Sequence, residues 1–127
     1  MKFLSLLPLA LLAGCSASNR YADAEKLVAD TLKDPMSAQF SDLSQEGGPG
    51  HPVCGFVNSK NGYGAYVGKR AFYVLDGNPK FKDESEAIEF NATANRVCSS
   101  EFMLLLSRED LRESEEFLRR VKEQTSK

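Results

Sequence analysis

An α+β fold is predicted by three shifts of patterning along this 127-residue sequence. Apolar residues first recur at helical spacing from Arg20, two β-prone runs then follow on either side of an Asn-Gly dipeptide, and from Asp83 the chain returns to a helical period. The length suits a single domain with one core. Charge narrows the partners: 16 Lys and Arg residues against 18 Asp and Glu leave a net charge of -2. The two signs are interspersed, whereas phosphate contacts need a concentrated basic face, so no nucleic acid is expected as a partner.

Residues 1–14 read MKFLSLLPLALLAG, with Lys2 as a positive n-region and an apolar stretch from Phe3 to Leu12. That stretch is shorter than the roughly 20 residues of a transmembrane helix and falls within the range of a secretory h-region. Ala13 and Gly14 supply the small residues that a signal peptidase requires, and the run Leu12-Ala13-Gly14-Cys15 resembles the lipobox of bacterial lipoproteins. The resemblance implies removal of 1–14 as a signal peptide, diacylglyceryl transfer to the Cys15 sulfur and acylation of the new amino terminus. Membrane lipid is then a partner through acylated Cys15. At about 0.8 kcal/mol per buried methylene, several acyl chains on one residue make a stable anchor. The position after Cys15 is Ser16 rather than Asp, which by the sorting pattern of enteric lipoproteins implies the outer membrane, with the domain facing the periplasm. Residues 15–19 are then the lipidated cysteine and a polar tether, and 20–127 a single domain.

Within that domain, Ala24, Leu27, Val28, Thr31 and Leu32 share a helical period, and the helix should stop near Asp34-Pro35 because proline disfavours helical geometry in the residue before it. Gln39 to Leu43 alternates weakly and predicts a first strand, and the Gly- and Pro-rich stretch from Gln45 to Pro52 predicts a loop. Val53 to Asn58 and Tyr66 to Leu75 read as strands, and their connection through Asn61-Gly62 predicts a hairpin. Asp76-Gly77-Asn78-Pro79 is a second turn signal. Asp83 and Glu86 have the spacing of a capping box for a helix whose inward stripe is Ala87, Ile88, Ala94 and Val97, with Cys98 on the same stretch. Phe102 to Leu106 is apolar throughout and ambiguous in type, and Ser107 with Asp110 has the spacing to cap a last, charged helix on which Leu111, Leu118 and Val121 share a face.

With Cys15 assigned to lipid, Cys54 and Cys98 remain, and an oxidising envelope compartment favours their pairing. The predicted fold class is therefore α+β, with an N-terminal helix, a small antiparallel β-sheet, C-terminal helical segments and one disulfide. Two cysteines and the single histidine, His51, do not make a zinc set, so neither a metal nor a cofactor is expected. No serine elbow or carboxylate pair lies near His51 in sequence, which leaves no catalytic constellation to name. The densest chemistry lies in Asn58-Ser59-Lys60-Asn61-Gly62-Tyr63-Gly64-Ala65-Tyr66. Asn58, Lys60, Asn61, Tyr63 and Tyr66 could form a recognition loop for an anion, a glycan or an envelope protein. The same residues also suit a hairpin in which Asn and Gly satisfy turn geometry and the tyrosines pack on the sheet.

Lys33-Asp34-Pro35-Met36-Ser37-Ala38-Gln39-Phe40 and the run from Val53 to Tyr66 together resemble a recurrent small domain of bacterial and phage proteins. Its members tend to show K-D-P-x-S-A-x-F, then V-C-G-x-V-N-x-K-N followed by G-x-Y. The resemblance covers roughly residues 24–98, departs at Ala65, where many members have a second glycine, and implies a domain identity without a reaction. The expected role is a membrane-anchored envelope lipoprotein acting as a binding or structural module, not an enzyme. The alternative is an envelope inhibitor of the superinfection-exclusion or lysozyme-inhibitor type, and a third class is an enzyme whose site is assembled from residues distant in sequence.

Overall fold

The computed structural model describes residues 19–126. The predicted signal peptide, the lipidation site Cys15 and the tether as far as Ser18 lie outside the described residues. The described chain runs α1 (Ala22–Ala29), a 3-10 turn at Pro35–Ser37, β1 (Gln39–Ser44), β2 (Val53–Asn58), β3 (Arg70–Leu75), β4 (Asn78–Phe81), a 3-10 turn at Lys82–Glu84, α2 (Ala87–Val97) and α3 (Ser100–Thr125). The strands form one antiparallel sheet in sequence order, β1-β2-β3-β4. This is the α+β class that the patterning predicts.

Alternation along the two central strands divides the core into two halves. Val53, Val57, Phe72 and Val74 face α1 and pack with Ala24, Val28, Leu32 and Phe81. Cys54, Phe56, Ala71 and Tyr73 face the other way and meet Phe90 and Ala94 of α2 and Phe102 and Leu106 of α3. Antiparallel sheets often leave one face wet. Here both faces are covered, which explains why β2 and the centre of β3 are buried almost without interruption.

Gly55 makes room for β1. Opposite it, Asp42 and Leu43 bulge out of register between the Ser41–Phe56 and Ser44–Cys54 pairs. A Cβ at position 55 would stand 2.4 Å from a terminal methyl of Leu43, so any larger residue would make that side chain move. The Cys54–Cys98 disulfide joins β2 to the end of α2 across 44 residues of sequence, with its Cα atoms 5.8 Å apart. It sits inside the α2/α3 half of the core, beside Tyr73 and Phe102.

Several element boundaries differ from the sequence expectation. Helix α1 ends at Ala29, and Thr31 and Leu32 continue in tight turns, their amides donating to Val28 and Ala29 carbonyls at 3.1 and 2.9 Å. The Thr31 hydroxyl also donates to the Val28 carbonyl, the kind of local bond that competes with a helical ladder. Leu32 stays buried all the same. Strand β3 starts at Arg70 rather than Tyr66, because Tyr66 is turned toward Ser37 and forms only an isolated bridge with Lys60. The Asp76-Gly77 pair is a tight turn with both φ values positive, 50° and 73°, a geometry suited to glycine in the second position. Asn78-Pro79 belongs to β4, an edge strand where proline is tolerated.

Asp83 and Glu86 do not form a capping box. Asp83 lies in the 3-10 turn and pairs with Arg70, while Glu86 is extended before α2 and makes no side-chain cap. On α2, Ala94 is buried and Val97 half-buried as predicted, but Ala87 is exposed, Ile88 is 85% exposed and Phe90 takes the inward place. Phe102–Leu106 is helical, part of one helix that Ser99 caps by accepting from the Phe102 amide at 3.1 Å. Ser107 is therefore interior to α3, donating to the Met103 carbonyl, and Asp110 pairs with Lys82 instead of capping.

Candidate functional site

The eleven residues between β2 and β3, Ser59 to Lys69, are folded back on the turn that precedes β1. The Ser37 hydroxyl donates to the Asp34 carbonyl at 2.8 Å and accepts from the Lys60 amide at 2.8 Å. The Ser37 carbonyl in turn accepts from the Tyr66 hydroxyl at 3.2 Å. The two sequence runs that carry the domain resemblance thus meet at one residue. Asn61 organises the tip: its side-chain oxygen accepts from the amides of Tyr63 and Ala65 at 2.9 and 3.2 Å, and its own amide donates to the Ala65 carbonyl at 2.8 Å. The Asn58 side-chain oxygen accepts from the Gly68 amide at 3.0 Å.

Of the five residues expected in a recognition loop, Asn58 and Asn61 thus commit their side-chain oxygens to loop geometry. The Lys60 ammonium stands 5.6 Å over the Tyr66 ring, a cation–π contact at the surface. Tyr63 is 97% exposed at the tip. The aromatic surface presented outward is therefore Tyr63 and the flank of Tyr66, with Lys60 beside it.

The base of this loop borders a cleft of about 650 Å³, closed on its other sides by the Lys82–Glu84 turn, the start of α2 and the middle of α3. Thr31, Phe56, Ser59, Lys60, Arg70, Lys82 and Glu109 are among the lining residues. The volume is within the range of small-ligand sites. Ion pairs line its wall. Arg70 donates to Asp83 at 2.8 and 3.1 Å and to Glu84 at 2.9 Å, and its guanidinium lies 4.2 Å over the Phe81 ring. Burial works against the Arg70 charge, yet the Asp83 and Glu84 carboxylates outweigh it and hold its pKa above the ordinary arginine value. Lys82 bonds Asp110 across the cleft, and Lys69 stands over the Phe56 ring at 5.8 Å. Arg112, hydrogen-bonded to Glu109, holds that carboxyl below its usual range against partial burial, and Lys69 adds to the same effect.

Such a wall offers paired charges, a floor formed by the buried Leu32, Phe56, Ala71 and Leu106, and a cationic rim at Lys60, which suits polar recognition. His51 lies elsewhere, exposed in the loop before β2, where its carbonyl accepts from the Gln45 side chain at 2.7 Å. Among the described residues, no group of three His, Cys, Asp or Glu side chains is placed to hold a metal ion. None of the helices among them is long and apolar enough to cross a membrane. Sequence reading misses the cleft because its pairs are remote, Arg70 from Asp83 by 13 residues and Lys82 from Asp110 by 28. No local motif signals either pair.

Comparison with protein-family models, curated proteins and solved structures returned no match for this chain.

Proposed function

We propose that the protein is a membrane-anchored envelope lipoprotein, held by acyl chains on Cys15, whose α+β domain works as a binding or structural module facing the periplasm. The observation that carries this reading is the division of labour among the three cysteines. Cys54 and Cys98 are bonded to each other inside the domain, and the remaining one ends the run Leu12-Ala13-Gly14-Cys15 behind a leader-like stretch. A buried structural disulfide favours a chain that matures in an oxidising compartment. The described domain begins only a few residues after Cys15, so an anchor there would hold the cleft and the Lys60–Tyr66 surface near a lipid surface, within reach of envelope proteins and glycans.

Metabolic labelling with a fatty acid, in cells expressing the full chain or its Cys15→Ser variant, tests the anchor. Label in the full chain alone is the expected outcome, with the variant accumulating as unprocessed precursor because lipid transfer needs the thiol. Equal labelling of both, or of neither, refutes the reading. Separating the membranes of the same cells then tests the outer-membrane assignment.

A further inference from the structure

The last helix runs well past the body it packs on. At 26 residues α3 is about 39 Å long. Its buried residues, Phe102 and Leu106, lie in the first two turns, and among the described residues none from Leu111 onward is buried. A free-standing helix made of residues 111–125 alone, 15 residues, is marginal in water. Ion pairs along the helix, Arg112 with Glu109 and Glu116 and Arg120 with Glu116, give partial support.

The projecting part is divided without exception. At 100° per residue, the uncharged residues from Leu111 to Thr125 (Leu111, Ser114, Phe117, Leu118, Val121, Gln124 and Thr125) fall in one sector about 140° wide, and every charged residue falls outside it. Exposure of the four apolar members ranges from 39% at Val121 to 65% at Leu111 and Phe117. Leu111, Ser114, Leu118, Val121 and Thr125 follow the alternating three- and four-residue spacing of a helix that packs along its length on another helix.

We infer that this stripe is a self-association surface, on which α3 of a second copy of the chain packs antiparallel. The charges bordering the stripe select that occupant and that direction. In an antiparallel pair centred near residue 116, Leu111 faces Val121 of the second copy and Ser114 faces its Leu118, so that a small residue meets a large one in each of the two central layers. The same register leaves Glu115 and Lys122 of the second copy as neighbours on one flank, about 7.5 Å apart along the axis and twice by symmetry, and brings the two Phe117 side chains together beside the two-fold axis. A parallel pair would instead set Asp110 against Glu115, two like charges. An anionic lipid surface fits less well, because Glu113 and Glu115 border the stripe and the charged face carries four acids against four bases from Arg112 to Glu123. One helix pair of this length offers less than the ~800 Å² per partner of a standard interface, so the pairing is reversible and depends on concentration.

Position-specific crosslinking in the full chain tests the pair. In cells expressing Phe117→Cys, a short bismaleimide should produce a crosslinked dimer, whereas Leu111→Cys should not, since the two thiols would stand about 15 Å apart along an antiparallel pair. Arg112→Cys, on the charged face, and the unsubstituted chain serve as controls. Glu115→Lys added to Phe117→Cys should lower the dimer yield about tenfold, and the further change Lys122→Glu should restore it. Efficient linkage at Leu111→Cys would overturn the antiparallel arrangement. Absence of linkage at Phe117→Cys in protein with unchanged helical content, or equal linkage at all three positions, would overturn self-association through this stripe.

Discussion

The two ends of β2 are tied down by different chemistry. Near its start, Cys54 is covalently bound to Cys98 at the end of α2, closing 44 residues of chain inside the core. Just past its far end, the Lys60 amide is held by the half-buried Ser37 hydroxyl, and Ser37 also holds Tyr66 through its carbonyl. The first tie acts chiefly by restricting the unfolded chain, and in the chain-entropy model a loop of this length corresponds to about 4 kcal/mol. The second is a set of hydrogen bonds exchanged for bonds to water, each of modest net value. A covalent tie secures the packing of α2 on the sheet, while a hydrogen-bonded one leaves the loop that borders the cleft easier to rearrange.

The largest effect in this comparison is expected from removing the covalent tie. Cys54→Ala with Cys98→Ala should lower stability by about 2–4 kcal/mol, seen as a shift of the denaturant midpoint. Amide exchange should show the loss greatest in α2, with α1 on the opposite face of the sheet less affected. Uniform loss of protection would mean that the disulfide serves the whole domain rather than one face. Ser37→Ala removes the hydroxyl but spares the carbonyl that holds Tyr66, and should cost about 1 kcal/mol. Exchange should accelerate at the Lys60 amide and around it; an unaltered Lys60 amide would show that Ser37 does not restrain the loop in solution. The smallest change in stability, within about 0.5 kcal/mol, is expected from Lys60→Ala and Tyr63→Ala, whose side chains reach outward from the tied loop. Pull-down from envelope extract should nonetheless lose a partner if this surface recognises one. Unchanged partners would leave the segment with a purely structural role.

The core strands and the disulfide were legible in the sequence because their causes are local or few. Val53 to Asn58 and the centre of β3 are β-prone runs too apolar for anything but burial, and Cys54 and Cys98 were the pair left once Cys15 was assigned to lipid. Helix ends were less legible, since caps compete with tertiary bonds. Asp83 had the spacing of a capping residue but is engaged by Arg70. Ser107 had it too, yet Ser99 caps the longer helix. Ile88 and Phe90 are two residues apart on α2, and a helical stripe alone did not show which would meet Tyr73 across the sheet.

The sequence by itself determined the α+β class, the hairpin between β2 and β3, the disulfide partners and the amphipathic C-terminal helix, because periodicity and cysteine number are properties of the chain alone. Only the tertiary structure decided that both faces of the sheet are covered, that Ser37 joins the two sequence runs of the domain, and that Arg70, Lys82 and their carboxylates wall a cleft. Those features depend on which segments the fold brings together, 13 to 29 residues apart for the Ser37 and cleft contacts and farther for the two halves of the core, distances over which local pattern carries no information.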